Sequence, residues 1–90
     1  MASNFKLFWH KSNDCIHLKM FGDFDGSSAH ELLKAIQTNA PKSFQVFIDT
    51  ENLNNIYGFG KDIFQNNLRI INKQTKNLIF IGKNKNSFNL

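Results

Sequence analysis

Cys15-Ile16-His17-Leu18-Lys19-Met20-Phe21-Gly22-Asp23-Phe24-Asp25-Gly26-Ser27-Ser28-Ala29-His30-Glu31-Leu32-Leu33-Lys34-Ala35-Ile36 changes its hydrophobic period in mid-course, and that change decides the fold class. Ile16, Leu18 and Met20 alternate with Cys15, His17, Lys19 and Phe21, the period of two expected of a strand buried on one side. The strand is expected to stop at Gly22. From Ser28 the apolar residues fall at Ala29, Leu32, Leu33 and Ile36, the i, i+3, i+4, i+7 spacing of one helical face. Ser28 and Glu31 have the spacing of a capping box. Asp25 stands just ahead, where a carboxylate is stabilised by unpaired amides and the helix dipole. Pro41 sets the far limit of the helix, because proline disfavours helical geometry in the residue before it.

Toward the N-terminus, Phe5, Leu7 and Trp9 alternate with Lys6, Phe8 and His10, and Lys11-Ser12-Asn13-Asp14 has the composition of a turn. An antiparallel hairpin is expected, with His10 opposite Cys15 and Phe8 opposite His17. Toward the C-terminus, Phe44-Gln45-Val46-Phe47-Ile48 reads as a central strand closed by Asp49. Residues 50–60, rich in Asn and Gly, read as a loop anchored inward by Leu53 and Ile56. A second helix from Lys61 carries Ile63, Phe64, Leu68 and Ile71 on one face. Leu78-Ile79-Phe80-Ile81 is a further buried strand ending at Gly82. The order predicts an α/β fold: a mixed sheet of four or more strands, with an N-terminal antiparallel hairpin followed by β-α-β-α-β. Right-handed crossovers lay both helices on one face. The other face then presents Phe47 with either Phe80 or the pair Ile79 and Ile81, and calls for a cover: the C-terminal tail, a partner or a second copy in a homodimer.

Ninety residues with 41% hydrophobic and 20% charged side chains suit one domain, placed at residues 5–82 with 83–90 as a C-terminal tail. The single cysteine excludes an internal disulfide and a multi-cysteine metal site, which points to a reducing compartment, the cytoplasm. No stretch is long and apolar enough for a membrane span, and Met1-Ala2-Ser3-Asn4-Phe5 lacks the pattern of a signal peptide, so no membrane insertion is expected. The net charge of +4 is unevenly spread: residues 1–60 hold five basic and six acidic side chains, whereas 61–90 hold six basic and one acidic. The C-terminal third is therefore suited to an acidic partner.

The residues offer little for catalysis. His10, Cys15 and His17 would share one strand face, but no fourth metal ligand is evident, and Cys15 has no partner of the kind a nucleophile needs. Asp23 and Asp25 could be an acid–base pair, although capping by Asp25 is the simpler role. Gly58-Phe59-Gly60 ahead of a helix could cradle a phosphate, yet no Lys-Ser/Thr follows. The ten Phe residues fall at core positions, not on a stacking platform for nucleic acid. No enzyme, metal or cofactor is expected.

Together, the strand ending in Gly22, Asp23-Phe24-Asp25, the helix opening Ser27-Ser28-Ala29-His30-Glu31-Leu32-Leu33, the strand ending Phe47-Ile48-Asp49, and Leu53-Asn54-Asn55-Ile56-Tyr57-Gly58-Phe59-Gly60 resemble the STAS domain of bacterial anti-sigma-factor antagonists. The resemblance covers residues 5–82. The family continues with a further helix for which this chain has too few residues. It implies a non-catalytic regulatory domain whose partner is an anti-sigma-factor-like kinase. The alternatives are an accessory subunit docking on the ATPase of a lipid-transporting ABC complex or, outside the family, a basic nucleic-acid or anionic-membrane binder. Where the family commonly has Ile-Asp-Ser-x-Gly, with the serine phosphorylated, this chain reads Ile56-Tyr57-Gly58-Phe59-Gly60. Gly58 has no hydroxyl, so the usual switch is absent, and within 50–60 only Thr50 and Tyr57 carry one. The resemblance assigns partner binding to Tyr57, Gly58, Phe59, Gly60, Lys61 and Arg69, with Lys73 as a further steering charge.

Overall fold

The computed structural model describes residues 4–39, 45–67 and 77–88. Strand β1 (Lys6–Lys11) and strand β2 (Cys15–Phe24) form the hairpin, and helix α1 (Gly26–Asn39) leads to strand β3 (Gln45–Ile56). Helix α2 (Gly58–Asn66), strand β4 (Asn77–Ile81) and a 3-10 turn at Lys85–Phe88 follow. The four-stranded sheet has the order β1-β2-β3-β4, antiparallel between the first two strands and parallel thereafter. This is the expected α/β architecture.

The core is the junction of the two periodicities. Ile16, Leu18 and Met20 of β2 are wholly buried, as are Ala29, Leu32 and Ile36 of α1, with Leu33 nearly so. Phe24 of β2, Val46, Ile48 and Leu53 of β3 and Phe64 of α2 belong to the same cluster, so both helices lie on one side of the sheet. Leu68 and Ile71, expected on the α2 face, lie outside the described residues. Phe88, in the stretch set apart as a tail, is 2% exposed. It stacks on Phe80 at 5.1 Å and meets Phe24 edge-on at 5.0 Å.

Four local expectations are corrected. His10 faces His17 and Phe8 faces Lys19, two positions from the expected pairing. The cause is at the turn: β1 continues through Lys11, Ser12 N–H donates to the Cys15 carbonyl at 2.9 Å, and Gln45 N–H donates to the Asp14 carbonyl at 3.1 Å. A slip of two preserves the faces and changes only the partners. Strand β2 does not stop at Gly22 but runs on to Phe24, with Gly22 at a φ of +89° beneath the Asn4 carbonyl. Asp49 does not close β3, because the pairing with β2 shifts register between Lys19 and Phe21 and again between Gly22 and Phe24. The bulged strand absorbs two extra residues and carries 50–56, expected as loop, to Ile56. Finally, α2 begins at Gly58, three residues before Lys61, leaving Tyr57 alone between strand and helix.

Candidate functional site

Both helices start at the end of the sheet where β2 and β3 finish, and they start differently. Asp25 caps α1: its Oδ1 accepts from Ser28 N–H at 3.0 Å, Ser27 Oγ at 2.9 Å and Ser28 Oγ at 3.0 Å. The backbone hydrogen bond from Ser28, with the two hydroxyls, lowers the carboxyl pKa from 3.8 to about 2. The expected capping role of Asp25 is present, whereas Ser28 does not cap as the box requires. Ser28 lies inside the helix, fully buried, and its hydroxyl turns back to Asp25 and to the Asp23 carbonyl at 3.0 Å. Asp23 is committed elsewhere, its Oδ1 accepting from Asn55 N–H at 3.2 Å and from Asn55 Nδ2 at 3.0 Å. The two carboxylates are structural ties to different elements.

Helix α2 has no such finish. Tyr57 is its N-cap residue, with φ −84° and ψ 139°, and makes no side-chain cap. Tyr57 N–H is held by the Phe24 carbonyl at 2.9 Å, which joins the end of β3 to the end of β2. Tyr57 is 50% exposed, and Phe59, two residues on, is 71% exposed. Gly58 between them has open space on its side-chain side. Gly60 is turned inward: a Cβ there would lie 2.6 Å from the Asp25 carbonyl oxygen, so glycine lets the first turn of α2 seat on the start of α1. Lys61 is half-buried. The structure thus gathers five of the six expected binding residues at one helix start, Tyr57, Gly58 and Phe59 exposed, Lys61 half-buried and Gly60 packed beneath; Arg69, with Lys73, lies outside the described residues.

Elsewhere, His10 and His17 are brought face to face and Cys15 lies on the same strand face, its sulfur 3.3 Å from Ser12 Oγ. Among the described residues no three His, Cys, Asp or Glu side chains come together to hold a metal ion. Thr50, placed in a loop from sequence, is wholly buried and donates to the Ile81 carbonyl at 2.8 Å. A second tie joins the same region to the C-terminal turn, where Glu51 Oε1 accepts from Lys83 N–H at 2.8 Å and Asn84 Nδ2 donates to the Thr50 carbonyl at 2.8 Å. These ties leave no mark in the sequence, because isolated polar residues carry no periodicity. No helix among the described residues is long and apolar enough to cross a membrane.

No family model matches the chain, and no curated protein matches it in sequence. In structure the chain is similar to a protein of the DUF3478 family from Shewanella loihica PV-4, described as having a SpoIIAA-like fold. The two share 17% identity at a TM-score of 0.59, over 92% of this chain and 73% of the other. The likeness is one of fold: this chain has a STAS-like fold, as its motifs imply.

Proposed function

We propose that the chain is a non-catalytic regulatory domain that binds another protein through the start of α2, using Tyr57, Gly58, Phe59 and Lys61 above the buried Gly60, with Arg69, outside the described residues, as a further candidate. One observation carries this reading. Two of the four large apolar side chains exposed among the described residues stand two positions apart at a helix N-terminus that has no side-chain cap. Aromatic side chains in that setting gain most from being covered, and a nearby lysine steers an acidic partner. The STAS-like fold and the motif resemblance favour an anti-sigma-factor-like kinase as that partner, with the ATPase of an ABC transporter as the second candidate. With glycine at position 58 and Thr50 buried, the contact is not released by phosphorylation of a serine at the family position.

The test is capture of partners with wild-type chain, identification by mass spectrometry, and titration calorimetry of the captured protein against variants. Tyr57→Ala and Phe59→Ala are each expected to weaken binding by about 1–3 kcal/mol. Gly58→Asp, which sets a negative charge beside them, is expected to weaken it as well. Gln37→Ala, at the far end of α1, should leave it unchanged. Equal affinity across all four variants, with native circular dichroism, would remove this surface from the interface.

A further inference from the structure

The face of the sheet turned away from the helices has a definite chemistry. Register puts His10, His17, Phe47 and Ile79 in one row across all four strands, and Phe8, Lys19, Asp49 and Ile81 in the next. The rings are already ordered: His17 stacks on Phe47 at 4.8 Å and 17°, and Phe8 meets Phe21 edge-on at 5.6 Å. A shallow depression of about 360 Å³ opens over Phe8, His10, His17, Lys19 and Asp49. The helices and the turn carrying Phe88 pack on the other side, and no described element covers this one.

We propose that the occupant is a second copy of the chain, in a two-fold, face-to-face dimer centred on Lys19 and Asp49. The charges select the occupant. Lys19 and Asp49 stand side by side in register on the two central strands, among Phe8, Phe21, Phe47, Ile79 and Ile81, with Lys6 and the two histidines toward the rim. A two-fold axis between them lays each Lys19 over the partner's Asp49, the self-complementarity that an isologous contact requires. A partner of one sign would meet a like charge at one of the two positions. The excess of positive charge belongs to residues 61–90, which contribute only the apolar Ile79 and Ile81 to these two rows, so it does not oppose the pairing there. Four strands about 4.8 Å apart and some six residues at about 3.3 Å each give a patch of roughly 20 by 20 Å, or about 800 Å² for both copies. That is about half a standard stable interface, so the dimer is reversible and concentration-dependent. Because α2 lies on the opposite side, a dimer presents two Tyr57–Phe59 surfaces outward.

Sedimentation velocity over about 10 µM to 1 mM, the range in which a weak dimer dissociates, tests this directly. Wild-type chain should pass from monomer to dimer. Lys19→Asp and Asp49→Lys, each monomeric alone, should form a heterodimer when mixed, because each then supplies the charges the other has lost. A misfolded variant could not produce that restoration. A wild-type monomer throughout the range overturns the proposal, as does a dimer undiminished by Lys19→Asp. A monomer that floats with anionic phospholipid vesicles overturns it in favour of a membrane occupant.

Discussion

The two helix N-termini lie against each other, and only one of them is finished. At α1 the half-buried Asp25 carboxylate accepts from a first-turn amide, Ser28 N–H, and from the Ser27 and Ser28 hydroxyls that hold it in place. At α2 the corresponding position is Tyr57, which caps nothing, followed by a glycine open to solvent and a phenylalanine that is mostly exposed. The first start is held by a side chain of its own segment; the second, with no side-chain cap and two exposed rings, is the surface that the proposed function assigns to a partner. If the proposal holds, the contrast separates structural residues from binding residues at a single corner of the molecule, and substitutions on either side of it should have opposite consequences.

The largest effect belongs to the point where the two helix starts touch. Gly60→Ala places a Cβ 2.6 Å from the Asp25 carbonyl oxygen and 2.7 Å from its carbon, a backbone wall with no flexible end to yield. The first turn of α2 must lift away, which would cost about 2–3 kcal/mol in denaturant unfolding. A cost under about 0.5 kcal/mol, the range of an ordinary surface change, would mean that the helix starts are not in contact.

A smaller effect follows from the finished side and is read by pH. The Asp25 carboxyl sits at about 2 in the folded chain, below its ordinary value of 3.8, so folding favours its ionised form. That stability is present in full above about pH 4 and is lost as the pH falls through about 2. Asp25→Asn should lower the melting temperature at pH 7 and flatten the acid limb of stability between those limits. An unchanged acid limb would show that Ser27 and Ser28 do not hold the carboxylate in solution.

What was legible in the sequence follows the same division. Ile16, Leu18, Met20 and Ala29, Leu32, Leu33, Ile36 announce their elements because a local period reports which side is buried, and the structure buries them all. Strand β3 beyond Asp49 was not legible. Its bulges break the alternation, and residues such as Asn52 and Asn55 are held by register and by the Asp23 carboxylate, not by strand propensity. Phe88 was hidden for a related reason: one aromatic in a polar stretch has no period, and only the three-dimensional gap beside Phe24, Phe64 and Phe80 gives it a place. At the candidate site, Tyr57 and Phe59 were singled out by likeness to a family motif. The inward role of Gly60 needed the approach of Asp25, a residue 35 positions away.

The smallest effect, and the finest test of the contrast, is at Gly58. Nothing lies within 4 Å of a Cβ built there, and the residue is the first of α2 without a positive φ. Alanine fits that conformation, restricts the unfolded chain and favours the helix, so Gly58→Ala should stabilise the fold by about 0.4–1 kcal/mol. If the open space served only the fold, the same change would be silent in binding. If the corner is a docking surface, a methyl group between Tyr57 and Phe59 alters the contact that the captured partner makes. Gly58→Ala should then raise the melting temperature and lower the affinity together. A gain in stability with unchanged affinity would take position 58 out of the contact and narrow the surface accordingly.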